Sequence, residues 1–445
     1  MSTRREFLKQ TGAASVIIAT SVHAAQAAGD AGTTLNESTK TLRTLRTAGS
    51  RIRSLVRRDE TILRLGGNGD NWHMSWADDD RQYVSLCDGF GWPGLPGYDM
   101  VGKEFNSRMY ATSGNPPDIK FEFLPGYPEL LNLVGVPGTR DINRYYSFGT
   151  LALDGRLYQF LSTLNHQDSR PDGTPWPGMA FYGAKLIYSP DNGVTWCNQD
   201  GSTPVVWESW ERRSRRNMIF FEEPQGAFSL LTVLQMGRNY GFNRDGYVYV
   251  YAPNGIIDGT MNELVMFRVP KAQILNRGAY KFFAGVRPDG NATWAKDITA
   301  RAVVHTFARG WVNTNAHPYG WHPSVVYNAP LGLYMMANWG MGCTPDGEWF
   351  GKPSYLGFWT APNPWGPWTQ IHEETSWTPG NDQAARSYQP QIAPKWIAAD
   401  GKSFWLVWTD FQLHEPLSPK NFTVETKQRA LPRYAFNLQR VDLVL

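Results

Sequence analysis

Cysteine is scarce in this 445-residue chain, net charge is small, and long helical or apolar runs are missing. Each shortage removes a class of protein. Three cysteines, Cys87, Cys197 and Cys343, lie too far apart for a disulfide framework or a metal-ligand spacing, and read as small buried apolar residues. A formal charge of +3 falls to about +1 once Arg4, Arg5, Glu6 and Lys9 of the leader are set aside, which argues against nucleic acid as the main partner. No uninterrupted apolar stretch of membrane-spanning length follows the leader, so no membrane anchor is expected. No long amphipathic helical pattern appears either; Pro270 to Arg277 is the best helical candidate, and it is short.

The first residues read as a targeting segment rather than as fold. Ser2 to Lys9, STRREFLK, is a twin-arginine export motif, followed by a moderately apolar run from Gly12 to Val22 and a small-residue cleavage pattern at Ala25-Gln26-Ala27. Residues 1–27 are therefore expected to be a signal peptide read by the twin-arginine machinery, with the mature protein periplasmic or secreted. Residues 28–60, polar with scattered arginine, read as a flexible lead-in to a single domain over 61–445.

What the chain has in abundance is turn and aromatic chemistry: 43 Gly, 30 Pro and 19 Trp, with aromatics at 14%. That combination fits many short strands joined by tight turns. Thr61 to Leu65 reads as a first strand. After it comes GGNGDNWHMSWADDDRQYVSLCDGFGWPG, Gly66 to Gly94, whose alternating run from Tyr83 to Cys87 predicts a strand ending on Asp88-Gly89. A second unit runs through FGTLALDGRLYQFLST with Asp154-Gly155 as a hairpin turn, and closes on Ser189 to Trp196, SPDNGVTW. That last stretch matches the Ser-x-Asp-x-Gly-x-Thr-Trp box of propeller hairpins, so Asp191 is structural. Further strand pairs over 229–268, 324–369 and 389–408 bring the count to five units. Five irregular repeats of antiparallel strands predict an all-β, five-bladed β-propeller, in preference to a jelly roll or a parallel β-helix.

In such a fold, carboxylates at the ends of inner strands face a central funnel. Asp70 and Asp88 bracket the innermost part of the first unit and are the candidate catalytic pair for glycoside hydrolysis, one protonated and one ionised. Taken singly, each serves equally well as a turn-shaping residue. Asp78-Asp79-Asp80 reads as the turn before the Tyr83 strand, with structural calcium as the alternative; no other cofactor is expected. Trp72 and Trp92, with Trp321 and Trp349, sit in Gly/Pro-rich segments suited to stacking on sugars. His73, His166 and His322 join the substrate-binding candidates, as do Asn239, Tyr240 and Arg244 in a loop of the third unit. Glu222-Glu223 offers a third carboxylate. His166 or Tyr182 with Arg244 leaves a second chemistry open, proton abstraction from a uronate by a polysaccharide lyase. A non-catalytic glycan-binding propeller is the third option. In all three the partner is a carbohydrate polymer or oligosaccharide.

Several blocks together, Gly69-Asp70-Asn71-Trp72, Trp76-Ala77-Asp78-Asp79, Cys87-Asp88-Gly89, Arg244 to Tyr251 and Tyr388-Gln389-Pro390-Gln391, resemble the signatures of a five-bladed propeller family that includes secreted endo-D-arabinan hydrolases. The resemblance spans about Gly66 to Phe411. It implies an inverting glycosidase whose paired aspartates map onto Asp70 and Asp88, and it adds Gln391 to the substrate-binding set. Two departures stand out: His73 occupies a position where the family pattern has proline or a small apolar residue, and the Arg/Trp-rich stretch from Trp207 to Arg216 has no match.

Overall fold

Short strands with alternating apolar faces must bury both faces, and here they do so by stacking sheet against sheet around an axis. A computed structural model describes residues 52–96, 104–131, 144–164, 181–255, 260–308, 323–344, 350–412 and 433–445. The expected signal peptide and most of the lead-in lie outside these residues. Among the described residues no α-helix occurs, and none is long and apolar enough to cross a membrane. The strands form five antiparallel sheets, the five blades of a propeller.

The innermost strands are Asn68–Asp70 with Met74–Trp76, Tyr145–Leu153, Thr232–Val233, Ser324–Asn328 and Ser387–Ile397. Each touches the next, and the last returns to the first. Hydrogen bonds cross the interfaces between blades. Ala152 N donates to Ser75 Oγ at 2.8 Å, Gln235 Nε2 to Thr150 O at 2.9 Å, Gln235 N to Val325 O at 2.9 Å, Ile392 N to Ser324 Oγ at 2.9 Å, and Lys395 N to Gln82 Oε1 at 3.0 Å.

The strand Gln82–Gly91 shows how the alternation is used. Tyr83 packs with Met109, Leu157 and Ile187 toward blade two, while Val84 and Leu86 pack with Trp396, Val407 and Phe436 of blade five. Asp154 (φ 51°) and Gly155 (φ 71°) are the two left-handed central residues of the predicted hairpin, a type I′ turn. In the Ser189–Trp196 box, Asp191 accepts from Ser189 Oγ, Thr195 N and Thr195 Oγ1, each at 2.8 Å, which accounts for it as a turn-builder.

Three expectations change. The strand at Thr61–Leu65 is a 3-10 turn over Asp59–Thr61 followed by a two-residue strand, Leu63–Arg64, because those residues must bend to reach Asn437 and Leu438. The helical candidate after Pro270 is two separate 3-10 turns. The lead-in ends earlier than residue 60: Ser54–Arg57 is a strand paired with Asn437–Val444, so blade five is built from both ends of the chain. A pairing between residues nearly 400 positions apart leaves no local signal.

Arg57 then ties this closing strand to blade four. Its Nε and Nη2 donate to Glu374 at 2.6 and 2.7 Å, and Nη1 to Gln439 at 2.9 Å. Arg57→Ala should therefore cost about 2–3 kcal/mol, between the values of exposed and buried pairs. Urea unfolding checks it; an unchanged midpoint would show that the closing strand does not depend on this clamp.

Candidate active site

The site is made by an irregularity in one strand. Asn68 pairs with Gly91 and Asp70 with Cys87, so the single residue Gly69 faces Asp88, Gly89 and Phe90. The extra residues form a bulge, a device that re-aims a side chain. Asp88 takes a left-handed conformation (φ 44°), which aspartate tolerates better than most residues. Gly89 has no alternative: a Cβ there would stand 2.0 Å from Asn68 O and 2.4 Å from Gly69 Cα. The strand expected to end at Asp88 in fact continues to Gly91, and the Asp-Gly pair marks the bulge rather than the terminus.

The bulge sets the two aspartates side by side. Asp70 Oδ2 accepts from Tyr388 Oη at 2.7 Å and from Tyr434 Oη at 2.9 Å, and Oδ1 accepts from Asn71 Nδ2 at 2.7 Å. The Tyr434 hydroxyl also stands 3.0 Å from the Asp88 carbonyl, so its one proton is shared between the two residues. Asp88 Oδ1 accepts from Asn106 Nδ2 at 2.9 Å. Asp70 is buried and Asp88 half-buried.

Burial first, and the Asp88 charge second, push Asp70 well above the ordinary carboxylate range; the three donors only partly oppose them. Burial likewise raises the Cys87 thiol, with Asp70 and Asp88 adding to it, so Cys87 is no thiolate nucleophile. Tyr146, Tyr388 and Tyr434 are held protonated, chiefly by burial. The arrangement offers a buried carboxyl driven toward its protonated form, a second, half-buried carboxyl near it, and phenol groups that can only donate or relay hydrogen bonds.

The other sequence-predicted residues scatter. His73 and Gln391 come together on the propeller axis, lining a small cavity with Thr150, Thr232, Gln235 and Ser324. His73 Nδ1 lies 3.5 Å from Thr232 Oγ1, and burial lowers its pKa to about 3, so the ring is neutral. Trp72 and Trp92 are core residues rather than sugar platforms. Their rings lie 5.4 Å apart, Trp92 stacks on Phe121 at 4.1 Å, and both are shut in against Phe436 of blade five.

Asn239, Tyr240 and Arg244 are at the wrong end. The strand Tyr145–Leu153 starts beside the aspartates and ends at Asp154, whose N–H donates to Asn239 Oδ1 at 2.6 Å. Nine residues at about 3.3 Å each separate them by roughly 30 Å. Tyr240 is buried beneath Tyr249, and Arg244 Nη1 donates to Gly241 O at 3.1 Å. The lyase reading thereby loses its proposed cation. Of its proton acceptors, Tyr182 sets its ring edge against Trp210, and His166 lies outside the described residues, as do His322, Trp321 and Trp349. Glu223 is committed to Arg215 and Arg277.

Asp78 to Asp80 form the expected turn. Asp79 pairs with Arg81 at 2.8 Å and Asp80 with Lys395 at 3.0 Å. Among the described residues no cluster of three or more metal-ligating side chains occurs.

Sequence reasoning missed Tyr388, Tyr434, Asn71 and Asn106 as site residues. Tyr388 opens the Tyr388–Gln391 block and was findable there; Tyr434 and Asn106 carry no local signal.

No family model matches the chain, and no curated protein does. Among solved structures the chain is similar to a Bacteroides ovatus protein described as a candidate hydrolase (12% identity, TM-score 0.46, covering 85% of this chain and 87% of that one). It is also similar to an α-L-arabinofuranosidase from Podospora anserina (10%, 0.41, 89% and 98%) and to a Cellvibrio cellulosa α-L-arabinanase (10%, 0.40, 84% and 91%). With TM-scores below 0.5, none of the three bears on the chemistry of this chain.

The raised Asp70 has a consequence for stability. The folded state holds its proton to a higher pH than the unfolded chain does, so stability falls as pH rises from the ordinary carboxylate range through the elevated value. Asp70→Asn should accordingly raise the thermal midpoint at pH 8 relative to wild type while leaving it close to wild type at pH 3. Equal shifts at both pH values would show that Asp70 is not held protonated by the fold.

Proposed function

We propose that this chain is a glycoside hydrolase that cleaves a furanose-containing polysaccharide of the D-arabinan type. The observation that carries the reading is the neighbouring pair of unlike carboxyls: Asp70 buried, capped by two phenols and driven toward its protonated form, and Asp88 half-buried on a strained bulge beside it. Pairs of titratable groups whose surroundings push them apart mark acid and base roles. Asp70 donates its proton to the departing glycosidic oxygen. Asp88 takes a proton from the water that attacks the anomeric carbon from the opposite face, and the configuration inverts. The substrate class comes from the resemblance of the Gly66–Gly94 and Tyr388–Gln391 segments to D-arabinan hydrolases. In the same reading the Ser2–Lys9 motif sends the folded protein out through the twin-arginine route, to the periplasm or beyond.

Asp70→Asn and Asp88→Asn should each lower kcat by about 10²–10⁴-fold, with oligosaccharide binding retained. Reducing-end release from D-arabinan, followed together with ultraviolet absorbance, measures this. Full activity in either variant, or an unsaturated product absorbing in the ultraviolet, would sink the assignment.

A further inference from the structure

The stretch from Trp207 to Arg216, unmatched in sequence, has a definite place. It lies against the start of the inner strand of blade two and carries Glu208 into the interior. There Lys185 Nζ donates to Glu208 Oε1 at 2.8 Å and Oε2 at 3.0 Å, and both side chains are buried. Tyr145 Oη donates toward Glu208 Oε2 at 3.0 Å and stands 2.9 Å from the Glu208 carbonyl. The Tyr145 ring is held beneath the Arg213 guanidinium at 4.6 Å and against Trp207 at 5.1 Å. One residue type is thus gripped on its hydroxyl, on one face and along its edge.

The backbone of Tyr145 passes this order on. Its N–H donates to Asn106 Oδ1 at 2.7 Å, and the other half of the same amide, Nδ2, donates to Asp88 Oδ1 at 2.9 Å. Asn106 is fully buried. The two bonds determine its amide orientation jointly, since a flipped amide would oppose N–H to N–H and oxygen to carboxylate.

We propose that Asn106 is the positioning residue of Asp88, presenting a fixed N–H donor to Oδ1, and that the Trp207–Arg213 segment braces it through Tyr145. The proposal rests on the reading of Asp88 as the water-activating carboxylate. The donor matters because it is a fixed hydrogen bond to a carboxylate oxygen in a crowded, titratable setting. Asp70, Cys87, Tyr146, Tyr388 and Tyr434 all sense its field, and Arg144 and Glu104 act in turn on Tyr146 and Tyr434. Hydrogen bonds to the ionised form are one way a carboxylate keeps its charge in such surroundings.

Asn106→Asp separates bracing from electrostatics, because its carboxylate still accepts the Tyr145 N–H but sets a like charge where the donor stood. In the full mature chain we expect a lower thermal midpoint, KM on D-arabinan within about twofold, and kcat down by at least about tenfold. The acid limb of the pH profile should move to higher pH. Carbon-13 titration of labelled aspartate carboxyls, with Asp88→Asn for assignment, should show Asp88 titrating higher by at least about one unit. Wild-type kcat together with an unmoved Asp88 titration would overturn the proposal. Should Asn106→Asp fail to fold, Asn106→Ala removes the donor alone, and the same upward displacement is required of it. For the brace, Glu208→Gln should lower kcat at constant KM; a lower thermal midpoint with unchanged kcat would overturn that part. If no glycan is hydrolysed by the wild type, the hydrolase reading fails by itself, and the carboxyl titration still decides what Asn106 does to Asp88.

Discussion

The ring closes on a blade built from both ends of the chain, and the candidate site sits on that closure. Leu63–Arg64 pairs with Asn437–Leu438, Leu65 N donates to Phe436 O at 3.0 Å, Phe436 N to Gly66 O at 2.9 Å, and Gly69 N lies 3.4 Å from Tyr434 O. This ladder carries the C-terminal segment alongside the residues leading to Asp70. Tyr434 therefore reaches Asp70 Oδ2 because the propeller is shut, although 364 positions separate them. An opened ring would cost the site one of its two phenols and a blade its outer strand at once.

Phenols suit the task in a way that cations would not. An arginine against Asp70 would pull its pKa down and hold it ionised. A tyrosine hydroxyl satisfies the buried oxygen at much smaller electrostatic effect, and it can turn from donor to acceptor when the carboxyl gains a proton. Burial then wins, as the direction of the Asp70 shift shows. Asp88, lifted out by the bulge, accepts from the Asn106 amide. The difference between the two carboxyls is thus produced by position on two paired strands, Asp70 on Asn68–Asp70 and Asp88 on the bulge of Gln82–Gly91.

The fold was legible where structure is local. Asp154-Gly155 required left-handed residues, the Ser189–Trp196 box knits itself together, and alternation along Tyr83–Cys87 fills two blade interfaces. The Asp88-Gly89 step was legible only in part: it reads as a place where regular pairing stops, whereas the strand carries a bulge there and runs on to Gly91. Tertiary effects were hidden. Trp72 and Trp92 sit among glycines and so look exposed. Gly67 is instead the residue that lets the Trp92 indole close down, a Cβ there falling 2.7 Å from the ring. Asn239 and Arg244 fail because loops that follow inner strands emerge at the far end of the propeller, a matter of strand direction that composition does not carry.

His73 illustrates how far a departure from a family pattern reaches. Its imidazole lies on the axis among Thr150, Thr232, Gln235, Ser324 and Gln391, away from the hydrogen bonds that define the carboxyl pair. With its pKa lowered to about 3 by burial, it carries no charge at neutral pH. An imidazolium on this axis would add a buried positive charge and oppose the protonation of Asp70. A neutral histidine fills the space and leaves the electrostatics of the pair to burial, to the two phenols and to Asn106.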